Sequence, residues 1–323
     1  MPSDKFGIPQ VSNEDYIRLK GYRLETNDIV FSRVGSVDIN AHVGIEQNGW
    51  LFSGRVLRVR PKYDIDSLFL HYALSTEAVK RDIRNRAVGQ TMPSINTPIL
   101  SSTTIQLPKD LFEQKKVAHF LRLLDERIIT QNKIIEKLQS LIKGIAQHCI
   151  KESTSGNTYV KLGDICQITT GKLDANAQVD NGIYPFFTCA EQPFKIDSFA
   201  FDTEALLISG NGANLGYINY YKGKFNAYQR TYVLDLFSEN IQYIKWALKV
   251  LLPKRIAIEK SSSNTPYIVL STLTDLRLPI PCKSKQSFIA NLMQSLERKL
   301  SNQIAQYDSY NYLKQYLLRQ MFI

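Results

Sequence analysis

Residues 111–150 read LFEQKKVAHFLRLLDERIITQNKIIEKLQSLIKGIAQHCI. Val117, Leu121, Leu124, Ile128, Gln131, Ile135, Leu138, Ile142, Ile145 and Cys149 recur there at alternating steps of four and three. Those steps place all of them on one stripe of an α-helix, the seam through which two helices zip together. A single polar residue, Gln131, interrupts the seam. A stripe of this kind is buried by a second helix, so the segment predicts a partner.

The same chain supplies one. Ile289, Met293, Leu296, Leu300, Gln303, Tyr307, Tyr310, Lys314, Leu317 and Met321 repeat the steps near the C-terminus. One constant shift lays Val117 on Ile289, Leu124 on Leu296, Gln131 on Gln303 and Gln114 on Gln286. A polar seam position shared in phase points to duplication. The two helices are expected to pair antiparallel. From Val117 to Cys149 the first would extend roughly 50 Å at about 1.5 Å per residue. Half-sites read by two-fold-symmetric DNA-binding proteins lie roughly 34 Å apart, which is the same scale.

The repeat continues upstream. Leu107-Pro108 precedes the first helix and Leu278-Pro279 the second. Before these, the polar stretch from Gln90 to Asn96 matches that from Ser261 to Ile268, each with a proline. Amphipathic runs, Ser67 to Arg86 and Ile241 to Lys260, come next, and then strand-like segments, Asp28 to Gly35 and Ala205 to Gly212. The polar run from Lys151 to Thr158 reads as a linker. The expected fold is α+β: two tandem α/β modules separated by two long helices that pair as an antiparallel coiled coil, with a pseudo-two-fold relation. The boundaries drawn are 1–110 and 154–283 for the modules, 111–153 and 284–323 for the helical regions. The first module has no counterpart of residues 162–173 and reads as shortened at its start.

Composition narrows the class. Forty Lys and Arg against thirty Asp and Glu give a formal charge of +10, spread along the chain rather than held in one tail, which favours an anionic partner. Cys149, Cys166, Cys189 and Cys282 form no CxxC pair and read as reduced thiols of a cytoplasmic protein. The N-terminus lacks a basic-then-apolar signal, and no apolar run reaches membrane length.

Catalytic motifs fail one by one. Gly210, Gly212 and Gly216 follow an apolar strand at GxGxxxG spacing, but the next residues alternate as a strand, so this is a hairpin turn rather than a dinucleotide loop. Lys222-Gly223 reads as a further turn before a strand from Phe225 to Leu234. No Asn/Asp-Pro-Pro-aromatic tetrapeptide and no GxxxxGK[ST] loop occurs. His42, His71, His119 and His148 have no metal-ligand spacing. No catalytic residue, metal site or cofactor is assigned.

What remains is a set of basic and amide residues that recurs in both halves. In the first half it comprises Arg33, Arg55, Arg58, Arg84, Arg86, Gln90, Thr91 and Asn96. The second half offers Asn211, Asn214, Lys222, Lys224, Gln229, Arg230, Lys254, Arg255, Lys260, Ser262 and Asn264. Arg and Lys suit phosphates and guanine, Asn and Gln suit adenine edges, so double-stranded DNA is the expected ligand.

Jointly these marks resemble the specificity subunits of type I restriction-modification systems. The resemblance rests on Asp28 to Gly35 and Ala205 to Gly216, on Leu162-Gly163-Asp164-Ile165 with Thr170-Gly171-Lys172, and on Leu107-Pro108, Glu113-Gln114 and Leu124-Asp125-Glu126-Arg127-Ile128. It spans essentially the whole chain. It implies two target-recognition domains, each reading half of a bipartite DNA site, and a coiled coil that fixes the gap. It also implies docking of two methylation subunits, which bind S-adenosylmethionine, and of ATP- and Mg-dependent restriction subunits. Segments 80–96 and 254–265 fall where such domains carry their distal loops. The second helix departs from the pattern with Lys285-Gln286 at its start and with Tyr307, Tyr310 and Lys314 in its seam. Two other readings fit the residues alone: a self-contained DNA-modifying enzyme, and a structural coiled-coil protein that binds other proteins.

Overall fold

The structure, a computed structural model, describes residues 7–62, 65–153, 158–260 and 267–322. The chain divides into two units, Met1–Lys133 with Ile304–Ile323 and Ile134–Gln303.

Unit 1 opens with a short helix α1 (Asn13–Arg18), followed by strands β1 (Ile29–Ser32), β2 (Asn40–His42) and β3 (Val56–Val59). They form an antiparallel sheet of order β2-β1-β3, in which Ile29 lies opposite both His42 and Val59. Ile29 and Phe31 are fully buried and pack on Leu70, Leu74, Ile83 and Ile95. The run expected as one helix is two, α2 (Ser67–Leu74) and α3 (Glu77–Arg86). Ser75 and Thr76 break it, because their hydroxyls donate back to the carbonyls of His71 and Ala73. A short α4 (Thr97–Ser101) follows, and then the long α5 (Leu111–Glu152).

One buried carboxylate ties the start of β1 to the end of β3. Asp28, 1% exposed, receives two bonds from the Arg60 guanidinium at 2.7 and 2.8 Å and one from the Glu25 amide at 2.7 Å. Burial alone would raise its pKa, but Arg60 and the amide outweigh that and hold it below the ordinary value. Arg60→Met is expected to cost about 2 kcal/mol in urea unfolding at neutral pH, less than a deep ion pair because Arg60 is 38% exposed. A depressed folded pKa contributes stability that is complete above the unfolded value of 3.8 and is lost as pH falls through the lower folded value. The gap between wild type and Arg60→Met should therefore close in strong acid.

Unit 2 holds β4 (Thr158–Lys161), β5 (Gln167–Thr170), β6 (Tyr184–Phe187), β7 (Phe194–Ile196), β8 (Phe201–Ser209), β9 (Ile218–Ala227) and β10 (Thr231–Asp235). Helices α6 (Ile241–Lys260) and α7 (Leu270–Thr274), strand β11 (Arg277–Ile280) and the part up to Gln303 of the long α8 (Lys283–Gln320) complete it. Six strands run β5-β10-β8-β9-β6-β7, and β11 pairs with β4. Only the β6–β9 pair in the six-stranded sheet is parallel. The centre, β9-β8-β10, matches β2-β1-β3 of unit 1. Gly171 shows why a glycine ends β5: a Cβ there would lie 1.9 Å from the Ala227 carbonyl oxygen.

Two sequence expectations are corrected here. Helix α5 runs through Lys151 to Glu152, so the linker is shorter than 151–158; Ser153 closes the helix by binding the Cys149 carbonyl through both its amide and its hydroxyl. Lys222-Gly223 is not a turn. Both lie inside β9, opposite Glu204 and Thr203, and the chain reverses instead at Gln229-Arg230.

The long helices zip antiparallel within each unit. In unit 1, Ala118 and Leu121 of α5 pack with Leu317 and Leu318 of α8 and with Phe69 and Tyr72 of α2. Lys314 lies 2.5 Å from Asp125, and the Arg127 guanidinium donates to the Tyr310 hydroxyl at 3.2 Å. In unit 2, Leu138, Ile142, Ala146 and Ile150 pack with Ile289, Met293, Leu296 and Leu300, and Lys285 donates to the Glu152 carbonyl. Along α5 the predicted seam is the covered stripe: Leu121, Leu124, Gln131, Ile135 and Leu138 are buried and Ile128 half-buried. On α8 Met293 is fully buried, whereas Gln303, Tyr307 and Lys314 are half-buried, as their polar ends require. Among the described residues no helix is long and apolar enough to cross a membrane.

Candidate nucleic-acid interface

In each unit the end of the central strand is clamped between two loops by the same backbone bonds. In unit 1 the Arg33 amide donates to the Arg55 carbonyl at 2.8 Å, and the Ile95 amide donates to the Arg33 carbonyl at 2.9 Å. In unit 2 the Gly210 amide donates to the Arg230 carbonyl at 2.8 Å, and the Ile268 amide donates to the Gly210 carbonyl at 2.9 Å. Arg33 thus corresponds to Gly210, Arg55 to Arg230, and Ile95 to Ile268. Both isoleucines are buried plugs, at 2% and 4% exposure.

The correspondence places an arginine at the entry to β3 and to β10 in matching positions. Arg55 and Arg230 are exposed, and no ion pair holds either of them among the described residues. Arg33 is exposed beside Arg55, its guanidinium 3.4 Å from the Gly54 carbonyl. Gln90 and Thr91 are exposed on the loop that Ser94 ties back to Val88. In unit 2 the β8–β9 turn carries Asn211 and Asn214. The Asn214 amide donates to the Cys189 carbonyl, and the Cys189 thiol donates to the Asn211 oxygen, both at 3.0 Å. Gln229 and Arg230 stand beside this turn and share a cleft with Thr170, Tyr232 and Ile268.

Several sequence-predicted residues are occupied inside their own unit. Arg58 donates to the Arg23 carbonyl and lies over the Phe52 ring. Arg84 bridges Asp38 and Glu77, and Arg86 binds Asp82, Ser102, Thr103 and the Ile99 carbonyl. Asn96 caps α4 by accepting from the Ile99 amide. Lys222 and Lys224, being in β9, sit against Glu204 and over the Phe199 ring. The Arg255 Nε lies 2.7 Å from Glu259, whereas Lys254 is exposed and lines a groove with Gln139 and Lys143. Strands and helices carry most of these residues, and there the neighbouring acids, carbonyls and rings engage them. Ser262 and Asn264 lie outside the described residues, as does the side chain of Lys260. Among the described residues no cluster of His, Cys, Asp and Glu could hold a metal ion.

A buried glutamine, visible in the sequence only as a repeated letter, fastens each long helix to its module. Gln114 accepts from the Asp66 amide at 2.9 Å and donates to the Pro108 carbonyl at 2.8 Å. Gln286 accepts from the Asn240 amide at 3.0 Å and donates to the Pro281 carbonyl at 2.9 Å. The structural partner of Pro108 is therefore Pro281 rather than Pro279, whose carbonyl accepts from the Tyr243 hydroxyl. Asp125 and Glu297, related by the same shift as the two glutamines, reach back to the same modules, Asp125 to the Tyr72 hydroxyl and Glu297 to Lys245 and Lys249.

Residues 6–140 and 154–307 each match the type I restriction modification DNA specificity domain. The chain belongs to that specificity family. Among relatives, the EcoDI type I specificity subunit of Escherichia coli is 44% identical over 137 residues, 42% of this chain but 30% of that protein's length. A putative type I specificity subunit of Mycoplasma genitalium is 23% identical over 292 residues, covering 84% of this chain and 74% of the relative. The crystal structure of an M. genitalium type I S subunit superposes with a TM-score of 0.66 at 20% identity, over 94% of this chain and 84% of that one. The fold of this chain is thus an α+β duplication, with the long helix α5 between its two repeats.

Proposed function

We propose that this chain reads double-stranded DNA for a type I restriction-modification complex, with unit 1 reading one half of a bipartite site and unit 2 the other. The observation that carries this reading is the matched pair Arg55 and Arg230, each exposed at the same strand entry, where its carbonyl accepts the same backbone bond from the end of the central strand. A guanidinium exposed there can bind a phosphate or the two acceptors of a guanine, and Gln90, Asn211 and Gln229 on the neighbouring loops can bind base edges. The paired helices serve as the spacer between half-sites and as the dock for two methylation subunits, with restriction subunits joining in turn. Phe112, Phe288 and Tyr312, 73%, 66% and 76% exposed on those helices, support a role in holding protein partners. S-adenosylmethionine, ATP and Mg belong to those partners, and the chain itself performs no chemistry.

The test is co-expression with the methylation subunit of the same host, followed by single-molecule methylome sequencing. One bipartite motif carrying methylated adenine is the expected result. Arg55→Ala should relax one half of the motif and Arg230→Ala the other, each by about tenfold in preference at the affected position. Binding of the assembly to its site should also fall steeply with salt, by roughly one power of salt concentration for each phosphate contacted. Methylation or cleavage by the purified chain alone, given DNA, S-adenosylmethionine and Mg, would sink the reading.

A further inference from the structure

The tip of unit 1 carries a feature that the basic and amide residues do not explain. Val34, Val88 and Met92 are 38%, 64% and 66% exposed, and they lie on loops laced together by hydrogen bonds. Gly35 donates to the Pro93 carbonyl at 2.8 Å, and Val88 and Ser94 exchange backbone bonds at 2.8 and 2.9 Å. The loop is held in shape by Gly89, whose φ is +102° and where a Cβ would lie 2.8 Å from the Met92 carbonyl oxygen. The side chains are therefore presented on a fixed frame. Arg33 and Arg55 stand on the adjoining loops, and segments 33–36, 53–55 and 88–94 contain no carboxylate. In unit 2 the position of Val34 is taken by Asn211.

An apolar cluster rimmed by arginines and free of acids suits a ligand that is anionic at its edges and apolar at one point. A duplex major groove offers such a point in the C5-methyl group of thymine, the one apolar group on any base edge there. We infer that unit 1 reads at least one thymine of its half-site by packing Val34, Val88 and Met92 on that methyl, an inference that rests on the DNA-reading role proposed above. The two half-sites are then read by different chemistry, methyl contact in one and polar groups such as Asn211 in the other.

Deoxyuridine, which is thymidine without the methyl, tests this. The full chain, in complex with its methylation subunit, is first given a random duplex library to select its site. Each thymine of that site is then replaced singly by deoxyuridine and the affinity remeasured. The expected result is about a fourfold loss at one or two thymines of a single half-site, the effect of one buried methyl. That loss should disappear in Val34→Ser/Val88→Ser/Met92→Ser, whose exposed positions leave folding intact, and should persist in Asn211→Ala. Specific binding without any deoxyuridine effect, a site with no thymine in that half, or an effect that the triple variant retains would overturn the inference while leaving the DNA-reading role standing. Failure to select any site would count against that role itself. A triple variant that binds DNA unchanged but sheds the methylation subunit would assign the cluster to a protein partner instead.

Discussion

Replacing Gln114 by leucine should lower the stability of unit 1 by about 3 kcal/mol, and Gln286→Leu should do the same to unit 2. Each glutamine is essentially fully buried, at 0% and 1% exposure. Each satisfies two backbone groups: the amide at the cap of α2 or α6, and the carbonyl of the proline before the long helix. Leucine has similar volume, so no cavity forms and little packing is lost. The cost comes from leaving a half-buried amide and a proline carbonyl unpaired beside an apolar side chain, at roughly 1.5 kcal/mol each. Gln286 also donates to Glu239 at 2.6 Å, so its variant loses a third bond, although Lys283 still holds that carboxylate, and it should be the worse of the two. Urea unfolding measures the total, and hydrogen exchange localises it. Protection should fall first across α2 in one variant and across α6 in the other. Gln139→Leu, on an exposed face of α5, should stay within about 0.5 kcal/mol of wild type. A Gln114→Leu protein as stable as that control would show that the clamp does not hold helix to module.

The parts of the fold that can be read from sequence are those with a fixed period or a fixed offset. The seam of α5 follows from steps of four and three, and α8 follows from the same steps repeated in phase. The β8–β9 hairpin follows from glycines at Gly212 and Gly216, which adopt positive φ. The interface is legible only in outline, because its offset drifts. The separation between matched residues is smallest for Gln114 and Gln286. It widens through Ile95 and Ile268, then Arg55 and Arg230, to Arg33 and Gly210. Small insertions between strands hide the Arg55–Arg230 match from any single shift, and only the shared backbone bonds expose it. Sequence is equally silent on who neutralises whom. Arg84 and Arg86 resemble Arg55 as letters, yet Asp38, Glu77 and Asp82 lie across the fold or along the helix to claim them. The apolar tip at Val34, Val88 and Met92 escapes any search for base recognition confined to polar residues.

Unit 1 should also lose about 3 kcal/mol as pH falls from neutrality to about 4, through one buried imidazole. The His71 Nδ1 lies 2.6 Å from the Asn40 Oδ1. Asn40 spends its amide on the Ser75 hydroxyl, so its oxygen must accept, and His71 must carry its proton on Nδ1. Charging the ring then requires a second proton on Nε2, in a place walled by the Tyr72 and His42 rings. Burial opposes that charge most, His42 and Lys314 add to the opposition, and Asp125 favours it too weakly to compensate; the pKa is pushed from 6.5 down to about 4. His42 is lowered as well, mainly by burial, with Asp66 pulling the other way. A histidine held neutral in the fold contributes stability that is complete above its unfolded pKa of 6.5. It is lost as pH falls from there toward the folded value, because the unfolded chain takes up the proton first. His71→Gln keeps an amide that can donate to Asn40 but cannot titrate, so its unfolding free energy should vary less between about pH 7 and 4.5, and the difference from wild type is the contribution of His71. The same slope in both proteins would show that the imidazole titrates freely and that the wall of rings around it does not exclude its charge.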